Sequence, residues 1–165
     1  MLSIPKALIF TFASVSAQSA IGQGMNVFQL RGDPEYRQQF CFCQNKGFVI
    51  CAAVEQPNRP GWDDDWSRTG LVITFKSMPR IGVAYDLIRD SSLLAWRHFS
   101  LSNWGDWSEG RNKAEGFIRV ISITNNIVEA YFNIVINKTS RFPYTYLGRR
   151  KFDRSESCGQ HGLVH

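Results

Sequence analysis

Several groups of residues in this chain have the type and spacing to do chemistry. The first is a set of four cysteines, Cys41, Cys43, Cys51 and Cys158. An even count suits two disulfides in an oxidising compartment, and three pairings exist. Cys41 with Cys43, two apart on one strand, is the pairing least suited to a bridge. Cys158 is therefore expected to reach back to the Cys41–Cys51 region and tie the C-terminal end to an early strand. Zinc is the competing use of these thiols, but Cys41-x-Cys43 with Cys51 lacks the spacing of a zinc knuckle, so no metal is expected. Three adjacent carboxylates, Asp63, Asp64 and Asp65, suit a solvated loop or, less often, a calcium loop. A hydrolase would need carboxylates held at a set separation across a cleft. Neither this triplet nor His98 with Glu109 sets one, so no enzyme and no cofactor are expected. Asn137-Lys138-Thr139 is an N-glycosylation sequon and places Asn137 in a surface loop. His161 and His165 lie in a polar tail and are given no role.

Residues 1–17 read as a signal peptide. Lys6 precedes the apolar run Ala7 to Ala13, and the small residues Ser14-Val15-Ser16-Ala17 follow. Val15 and Ala17 suit the −3 and −1 positions of a signal peptidase site, with cleavage after Ala20 as the alternative. The run is too short to span a bilayer, and no other segment is long and apolar enough. A secreted, extracellular protein without a membrane span is expected. Losing Lys6 lowers the formal net charge from +5 to +4. The remaining cations are scattered, apart from Arg149-Arg150-Lys151, which reads as a solvated turn. No nucleic-acid partner is expected.

The elements that must position these groups are strands. At 165 residues the chain has the size of one domain. Strand signals run over Val27 to Leu30, Gln39 to Cys43, Phe48 to Val54 and Leu71 to Phe75. In the next segment Ile81, Val83, Tyr85 and Leu87 alternate with smaller or polar residues, the period of a half-buried strand. Leu93 to His98 and Phe117 to Ile123 follow. Thr124-Asn125-Asn126 reads as a hairpin turn into the partner strand Ile127 to Ile136. Tyr144 to Leu147 ends at Gly148. No stretch keeps helical periodicity, and there is no phosphate loop, His-x-x-x-His pair or repeat. The pattern predicts an all-β antiparallel sandwich. Its main body is expected over residues 47–155, with residues 18–46 as an extension or first strands and 156–165 as a tail. Aromatic residues make up 13% of the chain, enough for some rings to face a ligand.

From about Leu71 to Tyr146, roughly half the chain, the order of motifs resembles the galectins, lectins that bind β-galactosides. Ile81 to Arg89 sits where that family has its His-x-Asn-x-Arg strand. Leu93 to Arg97 sits where it has Val-x-Asn. Asn103-Trp104-Gly105-Asp106-Trp107-Ser108-Glu109-Gly110-Arg111 resembles the Trp-Gly-x-Glu-x-Arg motif with two residues inserted. The hairpin Phe117 to Asn133 and the later Arg141-Phe142-Pro143 complete the series. The resemblance implies a jelly-roll sandwich of the concanavalin-A-like lectin architecture. It also implies a carbohydrate site in which Trp104 stacks on the C–H face of a sugar, and Glu109 and Arg111 bond its hydroxyls.

The departures from the family pattern matter. Ala84 stands where the family has its His, and Asp86 where it has its Asn. Arg97 or Trp96 stands at the next Asn. Asp86 and Arg97 are thus the remaining candidate sugar contacts, and binding to simple lactose is expected to be weak or absent. Glycans or glycoproteins are the implied partners, with a homo-oligomer possible. The competing reading is a secreted sandwich that binds protein and has no sugar site.

Overall fold

A computed structural model of the chain describes residues 25–28, 37–44, 47–56, 67–102, 105–106, 113–138, 143–156 and 158, with the backbone alone at 25, 101–102 and 105–106. The described residues form ten strands: β1 (Met25–Asn26), β2 (Arg37–Cys43), β3 (Phe48–Gln56), β4 (Ser67–Phe75), β5 (Ala84–Asp86), β6 (Leu94–Ser102), β7 (Gly105–Asp106), β8 (Ala114–Ile123), β9 (Ile127–Ile136) and β10 (Tyr144–Arg154). No helix occurs among the described residues, so the fold is all-β as expected. The strands form one hydrogen-bonded sheet in the order β5-β8-β9-β10-β2-β3-β4-β6-β7, and β1 pairs with β10. The expected antiparallel pattern holds for most neighbours, but β10 pairs in parallel with both β1 and β2.

The sheet curls back on itself. Phe75 of β4 meets Tyr85 of β5 with ring centroids 5.2 Å apart, although the two strands are far apart in the sheet order. His98 of β6 likewise lies 4.8 Å from the ring of Tyr144 on β10. Opposed layers are thus flanks of a single sheet, and the concave face becomes the core.

Strand β9 shows why these residues choose that face. Val128, Ala130, Phe132, Ile134 and Ile136 are all buried, and the residues between them are exposed or half-buried. That is the period of two produced by a pleated strand. The β8–β9 turn is tied at Thr124, whose hydroxyl donates to the Ile127 carbonyl at 2.9 Å and accepts from the Ile127 N–H at 3.0 Å. Strand β3 is different, being buried on both faces. Its inward residues Phe48, Ile50, Ala52 and Val54 join the main core. Its outward residues Cys51 and Ala53 join a second cluster with Cys41, Cys43, Phe99 and Cys158.

Four expectations need correction. Val27 and Phe28 follow a two-residue strand as a turn, and Phe28 is a core plug instead of a strand residue. The alternation from Ile81 to Leu87 yields a strand only at Ala84–Asp86. Ile81 and Val83 are 59% and 41% exposed, because the chain turns at Ile81-Gly82 after Pro79 and reaches β8 only through the Gly82 N–H, which donates to Val120 O at 2.8 Å. Arg149-Arg150-Lys151 is mid-strand in β10, where ten residue pairings with β9 hold it extended. Last, the four cysteines make one disulfide, Cys41–Cys158 with Cα atoms 5.7 Å apart, and Cys43 and Cys51 are thiols. Cys158 does tie the chain end to an early strand, as expected. Strands β1 and β2 share the sheet with the rest, and the expected signal peptide lies outside the described residues.

Candidate functional site

Trp104, Glu109 and Arg111 lie outside the described residues, as do the Asp63–Asp65 triplet and the two tail histidines. Asp86 is described, and its carboxylate is engaged locally. It accepts from the backbone N–H groups of Ile88 (3.0 Å) and Arg89 (2.9 Å) and from the Arg89 guanidinium (3.0 Å). Those bonds, the backbone one from Arg89 foremost, hold its pKa below the usual carboxylate value. Asp86 therefore shapes the turn after β5. Arg97 sits on the outward face of β6, opposite Val72 of β4. Strands β5 and β6, which carry Asp86 and Arg97, are not neighbours in the sheet. Asn137 closes the far end of β9 in a left-handed conformation (φ 55°), accepting from the Lys113 N–H at 3.0 Å. His98 is buried on the concave face, and desolvation pushes its pKa down to about 4.

A site that the sequence did not announce opens between β10 and β2. Along one side β10 is covered by β9 for almost its full length. Along the other, β1 pairs with its start (Tyr144, Thr145) and β2 with its end (Asp153, Arg154). Among the described residues the stretch between them has no strand partner on that side. Phe28 fills the inner part of the gap, its ring edge-on to Phe132, Phe40 and Tyr146 at 5.2, 5.6 and 5.7 Å. Arg150 points inward opposite the small Ala130, which leaves room for its guanidinium. That group lies 4.9 Å over the Phe28 ring and donates to the Phe28 carbonyl.

The outer part of the gap is a slot of about 440 Å³ lined by Gln38, Phe40, Glu129, Arg149, Arg150 and Lys151. Glu129 and Arg149 form a two-pronged pair at its wall. Arg149 Nε donates to Oε1 at 2.7 Å, and its terminal nitrogen to Oε2 at 2.8 Å. The pair lowers the pKa of Glu129 and raises that of Arg149. Lys151 stands directly across from Glu129 on the paired strands. The slot thus carries three cations, one carboxylate, an amide and a ring edge. It offers donors and acceptors together with a net positive charge.

The sequence signal was present but weak. Arg149 and Lys151 share one face of a strand, and Glu129 lies on the same face of its partner. Only the pairing register joins them.

Among the described residues no helix is long and apolar enough to cross a membrane. Comparison of the chain with protein-family models, with curated proteins and with solved structures finds no match.

Proposed function

We propose that this chain is an extracellular carbohydrate-binding protein that does no chemistry on its ligand, and that the β10–β2 slot takes a glycan bearing an acidic group. The observation that carries the reading is the Glu129–Arg149 fork at the wall of a slot that also presents Gln38, Phe40, Arg150 and Lys151. Sugar hydroxyls each donate and accept, and planar carboxylate, guanidinium and amide groups satisfy several at once. The excess of cations favours a sulfate or carboxylate substituent. The galectin-like order of motifs supports a lectin, with the altered positions Ala84 and Asp86 pointing away from simple lactose. The disulfide suits an extracellular setting, in keeping with the signal-like first 17 residues.

A glycan array probed with the wild type, Arg149→Met and Trp104→Ala tests this. Sulfated or sialylated glycans are expected to bind the wild type, and Arg149→Met to lose them. If only Trp104→Ala loses binding, the lectin reading stands but the site moves to the 103–112 loop. Absence of binding by the wild type to any glycan sinks the reading.

A second reading has its own support. Met78, Val83 and Leu93 are exposed and line a mostly apolar hollow of about 280 Å³, and Ile81 and Ile88, on the segments that flank β5, are exposed as well. Such a cluster fits a protein partner, including a second copy of the chain. Sedimentation of wild type and the double variant Ile81→Ser, Ile88→Ser distinguishes the two. Self-association abolished by the double variant favours the protein partner, and a monomer throughout removes the second copy.

A further inference from the structure

The outer cluster on β2 and β3 holds more sulfur than one disulfide uses. The Sγ atoms of Cys41, Cys51 and Cys158 all lie within 4.8 Å of one another. Cys41 and Cys51 are directly opposed across the antiparallel β2–β3 pair. Opposed Cα atoms in such a pair stand about 4.5–5.5 Å apart, within the range a disulfide spans. Cys43 belongs to the same cluster, its sulfur 3.6 Å from the Cys158 carbonyl. Three sulfurs therefore share one place for a bond that needs two.

We propose that Cys51 is a built-in exchange partner for the Cys41–Cys158 disulfide, and that the bond migrates to Cys41–Cys51 and releases Cys158. The Cys51 thiolate attacks the Cys41 sulfur. The Cys41–Cys51 bond forms as the Cys41–Cys158 bond breaks. The electron pair leaves on the Cys158 sulfur, which takes up the proton that Cys51 lost. One disulfide remains throughout, so no oxidant or reductant is consumed. All three residues are buried among Ala53, Phe99, Val49 and Val72, so the exchange is internal and slow, on the timescale of uncatalysed disulfide rearrangement.

The two bonded forms differ in what they restrain. The first ties residues 117 apart in sequence and pins the end of the chain onto β2. The second joins two strands that the sheet already holds together. In the second form the chain end is held near β2 by Asp153 and Arg154 in the sheet and by the Ser155 N–H, which donates to Phe42 O at 2.9 Å. Cys158 consequently stays within reach, and the exchange is reversible.

The test uses the full chain equilibrated in glutathione buffers, quenched in acid and mapped by mass spectrometry without reduction. Fragment ions separate Cys41 from Cys43. The wild type is expected to give both Cys41–Cys158 and Cys41–Cys51 linked peptides, and Cys51→Ser only the first. Cys158→Ser, checked as folded by circular dichroism, is expected to give only the second. A wild type with Cys41–Cys158 alone at every glutathione ratio overturns the proposal. So does one zinc ion bound per reduced chain and lost in Cys51→Ser, with no migrated bond, because the cluster is then a metal site.

Discussion

Strands β9 and β3 have similar lengths and apolar content but opposite surroundings. In β9 one face is buried and the other carries Glu129, Tyr131 and Asn133 to the surface. In β3 both faces are covered, the inner by the curled sheet and the outer by Phe99 and the disulfide-bonded chain end. The outward face of the first strand lines one wall of the slot through Glu129. The second gives up both faces to packing and gains a sulfur cluster sealed from solvent. The contrast shows that burial of one face leaves the other able to line a surface slot, whereas burial of both leaves only interior contacts.

The largest effect that sharpens this comparison comes from Gly116 on β8. It sits at φ +112°, and an added Cβ would run into the backbone carbonyl of Asn133 on β9. Gly116→Ala is expected to lose more than about 4 kcal/mol in denaturant unfolding, because backbone on both sides must move. Next come paired truncations. Phe132→Ala removes an inward ring that packs on Phe28 and Phe152 and should cost about 3–5 kcal/mol. Phe99→Ala removes the outer ring that lies over Gly70, belongs to the smaller sulfur-rich cluster and has the Arg68 guanidinium over its face, and it should cost less within the same range. Equal losses would break the distinction between a deep inner core and a thinner outer one.

A third effect appears in acid. His98 is held neutral inside the curl, with its pKa pushed down to about 4. Below its ordinary value near 6.5 the unfolded chain takes up a proton that the folded chain refuses. Stability is therefore expected to fall as pH drops from about 6.5 to 4, by a total on the order of 3 kcal/mol, and to level off below that. His98→Asn should remove that limb from the pH profile. An unchanged profile would show that the ring titrates normally. The smallest effect belongs to Glu129, whose pKa is lowered by Arg149. Its contribution is present above the ordinary glutamate pKa and is lost as pH falls through the lowered value. Glu129→Gln should shift the melting midpoint only slightly, since the Arg149 half of the pair is largely exposed and water screens it.

These contrasts also explain what could be read from the sequence. Strand β9 was legible from end to end because one buried face imposes strict alternation. Strand β3 was legible as a continuous apolar run, but its outer cover depends on Cys158, more than a hundred residues away. The alternation through Ile81 and Val83 misled, since the same pattern can coat an exposed lip once Pro79 and Gly82 turn the chain. The run Arg149-Arg150-Lys151 has the charge of a turn yet lies in a strand, because Ala130 and Phe28 give Arg150 an inward berth. The slot itself is a product of register. Glu129 and Arg149 meet only because β9 and β10 pair with Lys151 opposite Glu129, and single-strand patterns carry no such information.

The measurement that bears most directly on the account is a calorimetric titration of a sulfated disaccharide and its unsulfated parent into the wild type and into Arg149→Met, at low salt. The account predicts that the sulfated sugar binds the wild type at least about tenfold more tightly than its parent, a difference of about 1.4 kcal/mol. Arg149→Met should erase that preference. Equal affinity of both proteins for both sugars would contradict the claim that the β10–β2 slot is a binding site.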